Sequence, residues 1–202
     1  MIGVLGGIAS GKSKAAELLA GPDGLVLDAD RLAHEVLASD EVTAKVRARF
    51  GASALDADGR PDRAALGKLA FADPEARLAL ERWIHPGVRA MIRARLEQAQ
   101  AQGVPRVVLD VPLLLENEES SALARLCDAL VFVDCDDAER ARRAAARGWD
   151  PDELARREAA QLPLHEKQAR ADAVLPNSGS LDDLRAAVEA VLTALRDEPP
   201  LS

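Results

Sequence analysis

The stretch Ile2-Gly3-Val4-Leu5-Gly6-Gly7-Ile8-Ala9-Ser10-Gly11-Lys12-Ser13 decides the fold. It opens as an apolar run that drives straight into glycines, as a buried strand does. The segment Lys12–Ala20 that follows is helical in pattern and stops at the breaker pair Gly21-Pro22. Between strand and helix, Gly6 to Ser13 satisfies G-x-x-x-x-G-K-[ST] in full. The chemistry explains the spacing. Glycines let consecutive backbone N–H groups turn inward on phosphate oxygens, and the following helix adds the positive end of its dipole. Gly7, Ile8, Ala9, Ser10 and Gly11 would supply that cradle. Lys12 would reach the β- and γ-phosphates, and the Ser13 hydroxyl would ligate Mg²⁺. ATP and Mg²⁺ are thus the expected cofactors. Lysine is scarce in this chain, yet Lys12 and Lys14 both fall here, which a plain glycine turn does not explain.

Four further apolar runs read as strands: Leu25–Asp28, Arg106–Asp110, Leu130–Asp134 and Ala173–Leu175. None alternates with polar residues, as expected when helices cover both faces of a parallel sheet. The predicted class is α/β, a P-loop nucleoside-triphosphate fold with a five-stranded parallel sheet flanked by helices. Residues 31–102 contain no convincing strand but several helix signals, among them Asp73-Pro74 as N-cap and first helical residue. That is far more than one crossover requires. Residues 1–30 and 103–202 are therefore expected to form the nucleotide-binding core, and 31–102 crossover helices plus a helical acceptor-binding insertion. Within the core, Ala138–Arg147 and Pro151–Gln161 read as a helical hairpin, a lid spanning approximately 138–161. A last helix, Leu181–Arg196, begins after Ser180 and fades into the polar tail Asp197–Ser202.

Composition excludes several roles. A net charge of −8 gives no general attraction to nucleic acid or anionic membranes, and the near absence of aromatic residues, with no Tyr, argues against stacking on bases. Any phosphate binding must come from a local cluster. The N-terminal apolar run is too short for a signal peptide or a membrane span. Cys127 and Cys135 lack metal-type spacing and read as reduced packing residues. The expectation is a cytoplasmic protein, a monomer or small homo-oligomer, with neither nucleic acid nor membrane as partner.

Three carboxylates compete for catalytic work. Strand two ends in Asp28-Ala29-Asp30, where alternation would send both carboxylates the same way, toward the phosphates. Either could take a proton from an attacking hydroxyl, and either could equally cap the helix from Arg31. Strand three ends in Asp110, positioned like a Walker-B carboxylate beside Mg²⁺. In an otherwise acidic protein, Arg140, Arg142, Arg143, Arg147, Arg156 and Arg157 cluster on the hairpin. Arg140, Arg143 and Arg147 would share one helical face and could neutralise charge on a transferred phosphoryl group. The plainer reading is a solvated face paired with Glu139, Glu153 and Glu158.

These segments, taken in order, resemble the dephospho-coenzyme A kinase family nearly end to end. The resemblance rests on IGVLGGIASGKS, LDADRLAHEVL, IHPGV at Ile84–Val88 and DVPLLLE at Asp110–Glu116, then VFVDC, Arg143-x-x-x-Arg147, AQLP at Ala160–Pro163 and ADAVLPNSGSL. It implies transfer of the ATP γ-phosphate to the ribose 3′-hydroxyl of dephospho-coenzyme A. By position it makes Asp30 the carboxylate that activates that hydroxyl, with Lys12, Arg143 and Arg147 as the other catalytic groups. It puts His85, Pro112 and Leu113 on the acceptor side and Asn177 near the adenine. Rival readings are another small-molecule or nucleoside monophosphate kinase and a non-catalytic ATP sensor. Two departures stand out. The family's G-S-G-K-S-T is Ala9-Ser10-Gly11-Lys12-Ser13-Lys14 here, so Lys14 replaces a hydroxyl aimed at the α-phosphate and either supplies charge there or points to solvent. The lid's usual Gln is Arg140.

Overall fold

Strand β1 (Ile2–Gly6) is central in a five-stranded, all-parallel sheet of order β2-β3-β1-β4-β5. The others are β2 (Leu25–Asp28), β3 (Val107–Asp110), β4 (Ala129–Asp134) and β5 (Ala173–Pro176). The computed structural model describes residues 1–116 and 118–197, without the side chains of 118 and 119; the tail past Asp197 lies outside the described residues. All five predicted strands form, with ends shifted by at most one residue.

The Val and Leu runs are buried because helices cover them. Val4, Val108, Val131, Val133 and Leu175 pack with Ala15, Ala16, Leu19 and Ala20 of α1 (Lys12–Ala20) and with Leu184, Val188, Val191 and Leu192 of α10 (Leu181–Asp197). Each fully buried Val or Leu contributes about 1.5–3 kcal/mol relative to exposure. Small Ala15 and Ala16 face the sheet on α1, so the helix that opens at the phosphate loop is seated firmly. Ser180 starts α10 with a reciprocal cap: its Oγ accepts from Asp183 N at 3.2 Å, and Asp183 Oδ2 accepts from Ser180 N at 2.8 Å.

The chain divides into two compact units: Met1–Asp28 with Ala99 onward, and Ala29–Gln98. The first carries the sheet, α1, α10, α6 (Glu118–Ala124), α7 (Asp137–Ala145), α8 (Pro151–Ala159) and α9 (Leu164–Gln168). Sequence reading anticipated neither α6 nor α9. The hairpin is also shorter than expected: α7 stops at Ala145, so Arg147 lies in the following turn and shares no helical face with Arg140 and Arg143.

The second unit is helical. It holds α2 (Ala29–Leu37), α3 (Asp40–Phe50), a 3₁₀ turn at Ala52–Ala54, α4 (Arg63–Ala72) and most of α5 (Pro74–Ala101). Asp62 caps α4, accepting from Ala64 N at 2.8 Å, and Asp73 accepts from Glu75 N at 2.8 Å as Pro74 opens α5. Leu32, Val36, Val42, Val46, Leu66 and Ile92 are buried within this unit. Its extended structure is the isolated bridge Leu55–Pro61.

Candidate active site

The phosphate loop is built from strained backbone that packing holds in place. Gly6 ends β1 at φ +149°, where a Cβ would lie 2.8 Å from the Val133 carbonyl oxygen. Gly11 sits at φ +91°, with a would-be Cβ 2.3 Å from Asn177 Nδ2. A side chain at Gly6 would meet the backbone of β4, and one at Gly11 would displace the Asn177 side chain. Ala9, which replaces a glycine of the resembled pattern, has φ +59°, a left-handed conformation that costs an alanine about 1–2 kcal/mol. Ala9 is held there by an apolar cluster with Ala144 and Leu154, against which Ile8 and Trp149 pack. The loop and the arginine hairpin thus share a hydrophobic seam.

Lys12 folds back over the loop, its Nζ donating to the carbonyls of Gly7 at 2.8 Å and Gly6 at 3.2 Å. Burial pushes this ammonium down to about 8; Asp110 and Glu116 pull it up, while Lys167 and Arg147 push it further down. An ammonium held at such a cost in its charged form is primed for an anion. Ser13 Oγ donates to Asp110 Oδ2 at 2.8 Å, and Asp110 is buried. The two residues expected to hold Mg²⁺ therefore converge from the start of α1 and the end of β3. A hydroxyl and one carboxylate are the sparse oxygen set Mg²⁺ uses where phosphates complete its shell.

Register aligns Val4 with Asp110 and Asp110 with Asp28, so the carboxylates of β2 and β3 end side by side. The expected alternation of Asp28 and Asp30 does not occur. Strand β2 stops at Asp28 and α2 begins at Ala29, which places Asp30 in a first helical turn. The period-two argument for a shared direction therefore stops at Asp28. Asp30 and His85, the latter on α5, belong to the second unit; Pro112 and Leu113 lie in the turn after β3 in the first.

Beyond the loop opens a cavity of about 500 Å³, lined by Gly11, Lys14, Arg143, Arg147 and Asn177 among others, a volume suited to a small-molecule site. Asn177 follows β5, its N–H bonded to the Asp134 carbonyl at 2.7 Å and its Nδ2 to the Ser10 carbonyl at 2.6 Å. Arg143 Nη1 also donates to that carbonyl at 3.0 Å, Nη2 to the Asn177 carbonyl at 3.0 Å, and Nε to Glu139 at 2.7 Å. One guanidinium therefore ties α7, the phosphate loop and the segment after β5 together.

The other hairpin arginines divide differently. Arg140 is buried and ion-paired with Asp137 at 2.6 Å and with Glu158, so it is a strut inside the hairpin. Arg142 pairs with Glu139, and Arg156 and Arg157 pair with Glu153 on exposed surface. Arg157 also stacks over Trp149, 4.4 Å from the ring centroid. The plainer reading of a solvated, paired face thus fits Arg156 and Arg157, while Arg142, Arg143 and Arg147 stand at the cavity. Exposed Lys14 lines the same cavity and pairs with Glu17 at 2.7 Å. Cys127 is packed near Gly3 and burial pushes its thiol up to about 12, an inert group as expected.

Sequence reading missed Lys167 and Glu116. Lys167 on α9 is almost fully buried, 2.6 Å from Glu116 Oε1. The signal was present: Glu116 closes the quoted DVPLLLE segment, and Lys167 is one of the scarce lysines.

Against known proteins, a family model described as dephospho-CoA kinase matches residues 1–183. This chain belongs to the dephospho-CoA kinase family. A dephospho-CoA kinase of Symbiobacterium thermophilum is 44% identical over 197 residues, covering 96% of this chain and 80% of the relative. One from Carboxydothermus hydrogenoformans is 39% identical, covering 97% and 93%. Among solved structures, the Thermus thermophilus protein TT1252 superposes with a TM-score of 0.77 at 39% identity, over 96% of each chain. The dephospho-CoA kinase match takes in the loop, the second unit, the hairpin and Asn177.

Proposed function

We propose that this protein transfers the γ-phosphoryl group of Mg·ATP to the ribose 3′-hydroxyl of dephospho-coenzyme A, the last step of coenzyme A biosynthesis. The observation that carries the reading is the convergence of Lys12, Ser13 and Asp110 on one phosphate loop in a member of this family. Loop amides from Gly7 to Lys14 and the α1 dipole would hold the phosphates, with Lys12 on the β- and γ-groups. Ser13 and Asp110 would hold Mg²⁺, which when bound spreads the charge of the β- and γ-oxygens. The cavity beside Asn177 suits the nucleoside. Arg143 and Arg147, on the wall of the same cavity, would bring positive charge to bear on the phosphates as negative charge builds on the transferred group.

On the acceptor side, Asp30 would take the proton of the 3′-hydroxyl as the hydroxyl oxygen attacks the γ-phosphorus in line, and the bond from that phosphorus to the bridging β–γ oxygen breaks to release ADP. His85, Pro112 and Leu113 would orient the acceptor. The helical unit Ala29–Gln98 would be the acceptor-binding domain and α7–α8 the lid. Among the described residues no helix is long and apolar enough to cross a membrane. Membership of the dephospho-CoA kinase family supports a cytoplasmic enzyme with ATP and dephospho-coenzyme A as its partners, and we read it as a monomer or small homo-oligomer.

Product analysis tests the reaction. Incubation with ATP, Mg²⁺ and dephospho-coenzyme A should yield a new phosphate monoester at the ribose 3′ position, read by phosphorus NMR and mass. Phosphate on any other position, or none, would remove the acceptor assignment.

A further inference from the structure

A buried lysine outside the phosphate loop gathers three segments that phosphoryl transfer must keep in register. Lys167 Nζ lies 2.6 Å from Glu116 Oε1 and donates to Gln161 Oε1 at 2.9 Å. Its side chain is 3% exposed and that of Glu116 11%. Glu116 ends the turn after β3 that contains Pro112 and Leu113, and its Oε2 accepts from Leu115 N at 3.0 Å, which fixes the turn's last residues. Gln161 lies where the chain leaves α8, at the exit of the hairpin. Lys167 itself is on α9, which packs on β1, and Leu164 of the same helix stands over Gly7, 3.2 Å from where a Cβ there would be. One ammonium therefore joins the turn after β3, the hairpin exit and the floor of the phosphate loop.

A buried ion pair is seldom the most stable way to fill such a space, since an apolar pair of similar volume often does as well or better. Its presence here needs another reason. Among the described residues no aligned hydrogen bond reaches Glu116 Oε1, so the 2.6 Å approach is a contact of charges. Neither Lys167, Glu116 nor Gln161 lines the cavity beside Asn177.

We propose that Lys167, held by Glu116 and Gln161, is a positioning residue that keeps the turn after β3 and the hairpin exit in register with the phosphate loop during transfer. The inference rests on the kinase reading above. It places Lys167 behind the reacting groups, where it serves transfer and leaves nucleotide binding alone.

The test compares wild type with Lys167→Arg, Lys167→Met and the double variant Lys167→Met with Glu116→Leu. Thermal melting, ADP binding by calorimetry, and kcat and KM for ATP and dephospho-coenzyme A are measured on each. Inactive wild type would sink the kinase reading itself. With active wild type, Lys167→Met should lose at least about tenfold in kcat while ADP affinity and the KM for ATP stay within about twofold. Lys167→Arg should recover most of the rate, because it keeps the charge. The double variant, which buries an apolar pair, should regain thermal stability yet remain slow. If turnover returns along with stability in the double variant, or if Lys167→Met keeps wild-type kcat, the pair is merely structural and the inference fails. Should Lys167→Met alone not fold, the double variant decides.

Discussion

The Lys12 ammonium should leave a measurable trace in stability, because burial lowers it from 10.5 to about 8. At about 1.4 kcal/mol per tenfold step in proton affinity, that gap corresponds to about 3 kcal/mol. The sign follows from proton counting. Below pH 8 both folded and unfolded chains carry the proton, and the folded state bears the full cost of a buried charge. Between pH 8 and 10.5 the folded protein has lost the proton and the unfolded chain still holds it, so stability rises with pH. Other groups titrate in the same range, so the informative quantity is the difference between wild type and Lys12→Met. Urea unfolding without nucleotide at pH 7, 8, 9 and 10 should show wild type gaining on the variant. The expected gain from pH 7 is about 1 kcal/mol by pH 9 and about 2–3 kcal/mol by pH 10. Saturating ADP should suppress the rise, since phosphate oxygens keep the ammonium charged. A difference that stays flat from pH 7 to 10 would refute the view that Lys12 is a desolvated cation waiting for phosphate.

Other consequences can be checked separately. Gly11→Ala forces a side chain at φ +91° onto Asn177 Nδ2 and its 2.6 Å bond to the Ser10 carbonyl; we expect a loss of at least about 2 kcal/mol in unfolding free energy and weaker ATP binding by calorimetry. Asp30→Asn should lower kcat by about 10²–10⁴ while ATP affinity changes little; unchanged turnover would move the base to Asp28 or Asp110.

How much of this could be read in advance depended on whether the signal was local. Helix α1 was legible residue for residue because Gly11 and the Gly21-Pro22 pair bracket it, and the strands because two-sided burial leaves unbroken Val and Leu runs. Ser13 and Asp110 could be matched because a loop motif and a strand end each fix a position in this topology. Helices α6 and α9 were not legible, being too short for a 3.6-residue periodicity to show. The strand-to-helix switch at Ala29 carries no breaker, so alternation was carried two residues too far, to Asp30. Arg140 looked like Arg143 on paper. Only packing reveals that one guanidinium is spent on Asp137 and Glu158 and the other reaches Ser10 and Asn177. The Lys167–Glu116 pair is of the same kind, joined by the fold across a long stretch of sequence.

The central claim is that the phosphate loop serves one acceptor. Steady-state ADP release with ATP and Mg²⁺, titrated with dephospho-coenzyme A and in parallel with nucleoside monophosphates, tests it most directly. The account predicts saturable release that depends on dephospho-coenzyme A and almost none with the monophosphates. Turnover with a monophosphate and none with dephospho-coenzyme A would contradict it.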